Sequence, residues 1–465
     1  LIQDKLKDYI QQDNKKWRPE KLAEKARIIR NLITVFETEP LSDETWDFWY
    51  KTDAARETEA IQSIITILET VPDKPKPIKI LFCGHRGCGK STELNRVRTK
   101  LKDMYSVDSS SVLKRYPLHA VDHRLILFYC AERLIEMAEK ANVGLTKDEK
   151  SVVLEWFDKK SITHVENQGH DVSVETGAGI NILKLITASV SGKIYSGGKT
   201  QDETLKYILD RVDRYILGLK IINNKIREKT GKPPLLILED LDKISELNQS
   251  KKIFIENSKI MIDLPFHAIF TFPISLYYDP KSNLQNYDHR EILPMIPIDD
   301  QPREIAKETR KGERGRDCLR KIFSRRVENP EQLIEGSSLN LLIEKCGGVL
   351  KDFTYLIRES AVFALNRNSG KIEDNDVNNA IRKLQNEYEN YLGEYGEGDE
   401  KITVKAILDI IDLFQNGPLI SVDHTGVFKH LLQNLCILEY NGERWYDLHP
   451  LIRDSMKRKK WRETQ

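Results

Sequence analysis

The chain has 465 residues, 40% of them hydrophobic, enough for about two to four domains with real cores. Its 73 basic and 72 acidic residues nearly cancel, which excludes a general polyanion binder while leaving local patches open. The six cysteines are too scattered for a zinc site or a disulfide framework, and no apolar run reaches the roughly 18 residues of a membrane span.

The N-terminus, Leu1-Ile2-Gln3-Asp4, carries no signal-peptide pattern, so a cytoplasmic location with no membrane partner is expected; because the first residue is not Met, room is left for a segment upstream. Residues 1 to about 70 read as helical, 1–52 as a segment of their own anchored by Trp17, Trp46, Trp49 and Tyr50. Pro72-Asp73-Lys74-Pro75-Lys76-Pro77 imposes an extended stop. Behind it, Ile78-Lys79-Ile80-Leu81-Phe82-Cys83 is predicted as a strand and runs directly into Gly84-His85-Arg86-Gly87-Cys88-Gly89-Lys90-Ser91, which matches GxxxxGK[ST]. The helical stretch Ser91 to Val97 follows, so strand, glycine loop and helix stand in the order the motif needs. Glycines let backbone N–H groups turn inward on a phosphate, Lys90 can bridge phosphates, and the Ser91 hydroxyl can ligate Mg²⁺ at a helix N-terminus. Gly84, Gly87, Cys88, Gly89, Lys90, Ser91 and Thr92 are therefore the candidate nucleotide-binding residues, with ATP or ADP and Mg²⁺ as expected cofactors.

Farther along, Tyr116 to Val121 is predicted as a strand and Leu125 to Asn142 as a helix, while the glycine- and serine-rich residues 160–200 read as an insertion. A long amphipathic helix, Asp202 to Lys229, is stopped by Gly231-Lys232-Pro233-Pro234. Leu235-Leu236-Ile237-Leu238-Glu239-Asp240 then has the form of a Walker B strand, continuous apolar sequence ending in carboxylates that can meet a metal and an attacking water. His267 to Ile274 and Ile292 to Ile298 supply further strands, and the alternation predicts a parallel α/β sheet over 53–300. Residues 301–398 read as a helical domain that opens with a basic stretch interleaved with acids, from Arg310 to Arg326, a solvated face on its plainest reading. Gly393 to Gly398 marks a linker. In 399–465, two helices precede two apolar runs joined by Asn441-Gly442, a hairpin signal that suggests a winged helix.

No LSGGQ-like signature of an ABC ATPase and no NKxD motif of a GTPase is present. The pattern resembles AAA+ ATPases and their relatives, the STAND signalling ATPases and the Orc/Cdc6-like initiators, over about residues 50 to 460, with the Walker motifs as its specific part. That resemblance implies an α/β P-loop fold with a helical lid and a C-terminal winged helix. It places Arg56, in Ala54-Ala55-Arg56-Glu57, near the adenine; Thr271 as sensor 1 or an ordinary strand-end threonine; and Arg290 as an arginine finger acting on a neighbour or a surface salt-bridge residue. Lys351, after Gly347-Gly348-Val349-Leu350, takes the place of the sensor 2 arginine and keeps the charge without the planar fork. His449, in Asp447-Leu448-His449-Pro450, resembles the histidine that contacts the ADP β-phosphate in STAND winged helices, with Pro450 in the place of that motif's aspartate; the alternative is a histidine bonding within the wing. Glu239 precedes Asp240, the reverse of the usual order. With Ser91 for the metal, this pair is expected to give slow hydrolysis, and Asp242 stands nearby.

Two functional readings follow. One is a nucleotide-controlled switch that forms a homo-oligomer or recruits a separate effector or sensor protein, a class that often acts in bacterial defence against phage. The other is a loader-like ATPase whose winged helix docks on nucleic acid, with Lys457-Arg458-Lys459-Lys460-Trp461-Arg462 and residues 303–326 as phosphate contacts. Against the second, the presumed recognition helix His424 to Asn434 has only Lys429 as a fixed positive charge.

Overall fold

A computed structural model describes residues 25–41, 56, 59–72, 76–154, 187, 190–191, 205–206, 210, 212–244, 246–278, 284–300, 311–396, 401–440 and 445–463. The tryptophan anchors of the first 52 residues, Ala54, Ala55 and Glu57, nearly all of 160–200, Arg310, the Asn441-Gly442 turn and the side chains of the basic tail after Lys457 lie outside the described residues.

In chain order the first helices are α1 (Ile29–Val35), α2 (Ala60–Glu69), α3 (Lys90–Leu101), α4 (His123–Lys140), α5 (Lys147–Leu154) and α6 (Val212–Thr230). The strands among and after them are β1 (Lys79–Gly84), β2 (Ser106–Ser111), β3 (Pro234–Glu239), β4 (His267–Thr271) and β5 (His289–Leu293). Then come α7 (Lys311–Arg326), α8 (Gly336–Lys345), α9 (Leu350–Asn366), α10 (Asp374–Glu389), α11 (Val404–Asp412), α12 (Gly426–Gln433), β6 (Ile437–Tyr440), β7 (Trp445–Leu448) and α13 (Pro450–Glu463).

The chain falls into two compact units. The first comprises Glu59–Gly84 and Glu93–Leu293 and is built on a five-stranded parallel sheet in the order β2-β3-β4-β1-β5. β1 and β4 are buried along their whole length and β3 as far as Leu238, which is why residues 80–83, 235–238 and 268–270 read as unbroken apolar runs. Parallel pairing sets the C-terminal ends of β1, β3 and β4, hence Gly84, Glu239 and Thr271, on one edge of the sheet. α4 starts at Asp122, whose carboxylate accepts the Leu125 N–H at 2.9 Å, and it packs against α6 and β3. α6 ends at Thr230, and Gly231 follows with φ +70°.

Two strand expectations are corrected. Tyr116 to Val121 forms no strand; the sheet's edge is Ser106–Ser111, whose polar sequence has no apolar alternation to reveal it. It is held by its ladder to β3 and by the Arg133 guanidinium gripping Asp108 at 2.5 and 2.8 Å. The run expected at Ile292 to Ile298 pairs earlier, as His289–Leu293, because Pro294 and Pro297 have no N–H to give a ladder.

The second unit comprises His85–Thr92, Pro294–Gln465 and the described residues of Leu1–Thr58. Helices α8 to α10 pack on one another, and α1 lies against α9. In the tail, Thr403 caps α11 and Thr425 caps α12; β6 and β7 pair antiparallel, and Leu419 adds a third rung by exchanging two hydrogen bonds with Tyr446. Helix, helix, hairpin is the order expected from the sequence. The division crosses the segment expected at 53–300, since 85–92 clusters with the C-terminal elements.

Candidate nucleotide-binding site

β1 ends at Gly84, and the glycine loop runs from there to the first turn of α3. Gly84, Gly87 and Gly89 have φ of 152°, 72° and 100°, values that L side chains rarely adopt. At Gly87 space also forbids a side chain: a Cβ there would stand 2.6 Å from the Cβ of Lys351. The Lys90 ammonium folds back and donates to the His85 carbonyl at 2.8 Å. Cys88, Lys90 and Thr92 are buried and Ser91 half-buried, and the Thr92 hydroxyl accepts the Leu41 N–H at 3.3 Å. A turn of this kind, opening a helix with a lysine at its mouth, fits the phosphates of a nucleotide.

Arg56 is fully buried and donates to the carbonyls of Cys88 and Pro294. Those bonds make it a brace under the glycine loop. From the other side, Gly347-Gly348 lead in with φ of 60° and 79°, and the Lys351 N–H donates to the Gly87 carbonyl at 3.1 Å, with the Lys351 side chain exposed. The expected sensor 2 segment and the glycine loop are thus in direct contact.

His449 has both ring nitrogens engaged within its own unit. Nδ1 accepts the Leu451 N–H at 3.2 Å, which leaves the proton on Nε2, 3.2 Å from the Asp352 carboxylate. The ring is fully buried and stacks on Tyr388, whose hydroxyl donates to the same carboxylate at 2.6 Å. This is the bonding geometry of a histidine that locks α13 to α9 and α10. Sequence reasoning missed Asp352 and Tyr388 because they are separated along the chain and meet only through helix packing.

In the first unit, Glu239 accepts a hydrogen bond from Ser109 at 2.8 Å. Asp240 has φ of +70°, accepts from Ser111, and pairs with Lys243 at 2.8 Å. Thr271 is buried; its hydroxyl accepts the Leu241 N–H at 3.1 Å and donates to the Leu238 carbonyl at 3.2 Å, tying the turn after β3 to the end of β4. Asp242 is buried as well. The serines of β2 that hold the carboxylates were missed for the same reason as the strand itself. Arg290 is exposed on β5, the sheet's other edge. Among the described residues no group of three or more His, Cys, Asp or Glu forms a cage for a metal, whereas Mg²⁺ commonly needs one or two carboxylates with phosphate oxygens.

No family model matches the chain, and none of the curated proteins does. Among solved structures it is similar to the Aeropyrum pernix ORC1 protein in complex with DNA, at 11% identity, 88% of this chain, 92% of that one and a TM-score of 0.41. It is also similar to the Aeropyrum pernix ORC2 protein (12%, 86% and 93%, TM-score 0.37) and to Thermotoga maritima RuvB, a Holliday junction branch migration motor (10%, 86% and 94%, TM-score 0.35).

Proposed function

We propose that the protein is an ATP-binding, slowly hydrolysing P-loop ATPase that works as a nucleotide-controlled switch. The observation that carries this reading is the contact of the Gly347–Lys351 segment with the glycine loop, through the Lys351 N–H on Gly87. Movement of the loop around a phosphate is transmitted directly to α9 and the helices packed on it. Lys90 would leave the His85 carbonyl for phosphate oxygens, and the loop N–H groups would hold the β-phosphate. By their motifs, Ser91, Glu239 and Asp240 are the residues that would hold Mg²⁺, which when bound neutralises charge on the phosphates. Asp240 would take the proton of the attacking water; its carboxylate is already engaged by Ser111 and Lys243, which supports slow turnover.

Two observations favour the switch over docking on nucleic acid. Lys429, the fixed cation of α12, is buried, and three arginines of α7 are engaged within their own unit. Arg316 donates to the Ile298 carbonyl, Arg320 pairs with Asp317 at 2.6 Å, and buried Arg326 lies 5.1 Å from the Phe36 ring centroid.

The test is the nucleotide released on heat-denaturing freshly purified protein, quantified against protein concentration. Near-stoichiometric ADP is expected, and the Lys90→Ala protein should release none. A site that is empty and exchanges freely would overturn the locked switch and return weight to the loader reading.

A further inference from the structure

The first variable residue of the glycine loop, His85, is bonded to the C-terminal hairpin. Its ring is buried, and Nε2 accepts the Glu439 N–H at 2.8 Å. That N–H is available because of the hairpin's register. Glu439 stands opposite Tyr446, and Tyr446 turns its own N–H and carbonyl outward to Leu419 at 2.7 and 2.8 Å. The pair is therefore a non-hydrogen-bonded one, so the Glu439 N–H also points out of the ladder, on the opposite edge. An edge donor buried against protein needs an acceptor, and the acceptor is supplied by the phosphate loop.

The same residue holds Lys90 through its backbone, since the Lys90 ammonium donates to the His85 carbonyl. A second path joins the two ends: the Tyr440 hydroxyl donates to the Gly347 carbonyl at 3.0 Å, and the segment that starts there reaches Gly87 through Lys351. The ring accepts at Nε2 and so carries its proton on Nδ1, where no hydrogen bond of ordinary geometry is made. Burial and the nearby Lys90 ammonium keep the ring neutral, holding its pKa down at about 3, although the Leu432 backbone favours a ring proton; His449 is the other charged or titratable group that acts on it. A neutral ring is the form that can accept from Glu439.

We infer that His85 is a positioning residue that couples the phosphate loop to the β6–β7 hairpin: it clasps the hairpin while one of the three N–H donors of Lys90 stays on the His85 carbonyl, as it can with a diphosphate bound, and lets it go when the γ-phosphate of a nucleoside triphosphate draws that donor away. This rests on the switch reading above and names its regulation. The hairpin then reports the nucleotide through the loop, while His449 serves the packing of α13.

The experiment is hydrogen exchange of the 431–440 segment in the full chain, first loaded with ADP and then with a non-hydrolysable ATP analogue, alongside dissociation of a fluorescent ADP from wild type, His85→Leu and His85→Gln. With ADP the segment should be protected, and with the analogue it should exchange about tenfold faster or more, the change expected when a hydrogen bond of ordinary net strength is lost. His85→Leu, which keeps bulk and loses the acceptor, should release ADP about tenfold faster; His85→Gln, which restores an acceptor, should return release to within about twofold of wild type. Equal protection with both nucleotides, in protein that binds both, would overturn the coupling and leave the switch reading standing. Release unchanged in His85→Leu would do the same, as would equal acceleration in both variants. Failure of wild type to bind either nucleotide would remove both.

Discussion

At the residue scale, Lys79 and Gly87 sit under the heaviest constraint. Lys79 lies on β1 with its side chain fully buried, its ammonium donating to the Pro77 carbonyl at 3.3 Å. Burial draws its pKa down from 10.5 to about 7, opposed by Asp288 and Asp263 and reinforced by Lys76. Because the folded value is the lower one, the unfolded chain binds the proton more readily, so the penalty is complete below about pH 7 and fades as the pH rises toward 10.5. Lys79→Met should therefore raise stability at neutral pH by roughly 2 to 4 kcal/mol and flatten its rise between about pH 7 and 10, measured by urea unfolding across that range. Gly87→Ala should do the reverse locally. Its left-handed φ and the nearby Lys351 Cβ leave no room for a methyl, so a loss of about 1 to 3 kcal/mol and at least tenfold weaker nucleotide binding are expected by thermal melts and calorimetry.

At the element scale, the carboxylate turn after β3 depends on its neighbours in the sheet. The left-handed Asp240 is held by Ser111 of β2 and by Lys243, while Thr271 of β4 accepts the Leu241 N–H. Thr271→Val keeps the shape and leaves that N–H without its acceptor, at a cost of about 1 to 3 kcal/mol. Turnover should fall with nucleotide affinity nearly unchanged, and Thr271→Ser should restore it. Equal loss in the serine variant would place the methyl group, and not the hydroxyl, at the centre of the effect. The element scale is also where sequence reading failed, for identifiable reasons. A strand spelled Ser-Val-Asp-Ser-Ser-Ser carries no apolar period, and its place at the sheet's edge is decided by pairing with β3 and by Arg133.

At the scale of the whole molecule, the switch reading predicts a change of assembly with nucleotide. Arg290 is exposed on the edge strand β5, where it is open to a neighbouring copy. Light scattering should show a larger species with the non-hydrolysable analogue than with ADP. Arg290→Ala should lower turnover per subunit about tenfold or more only at concentrations where the assembly forms. A turnover loss of the same size in dilute monomer would assign Arg290 a role within its own chain.

Local patterns by themselves determined the glycine loop, the apolar strands on either side of β4, the carboxylates at the end of β3 and the order of helices and hairpin in the tail. Each of these is written in neighbouring residues, as a spacing, a glycine that needs positive φ, or an unbroken apolar run. Only the tertiary structure decided that His85 meets Glu439, that Lys351 meets Gly87, and that His449 turns to Asp352 and Tyr388. Those contacts join residues up to 354 positions apart, and a hydrogen bond over such a distance leaves no periodicity in the chain. It exists because buried polar groups must find partners among whatever the packing brings beside them.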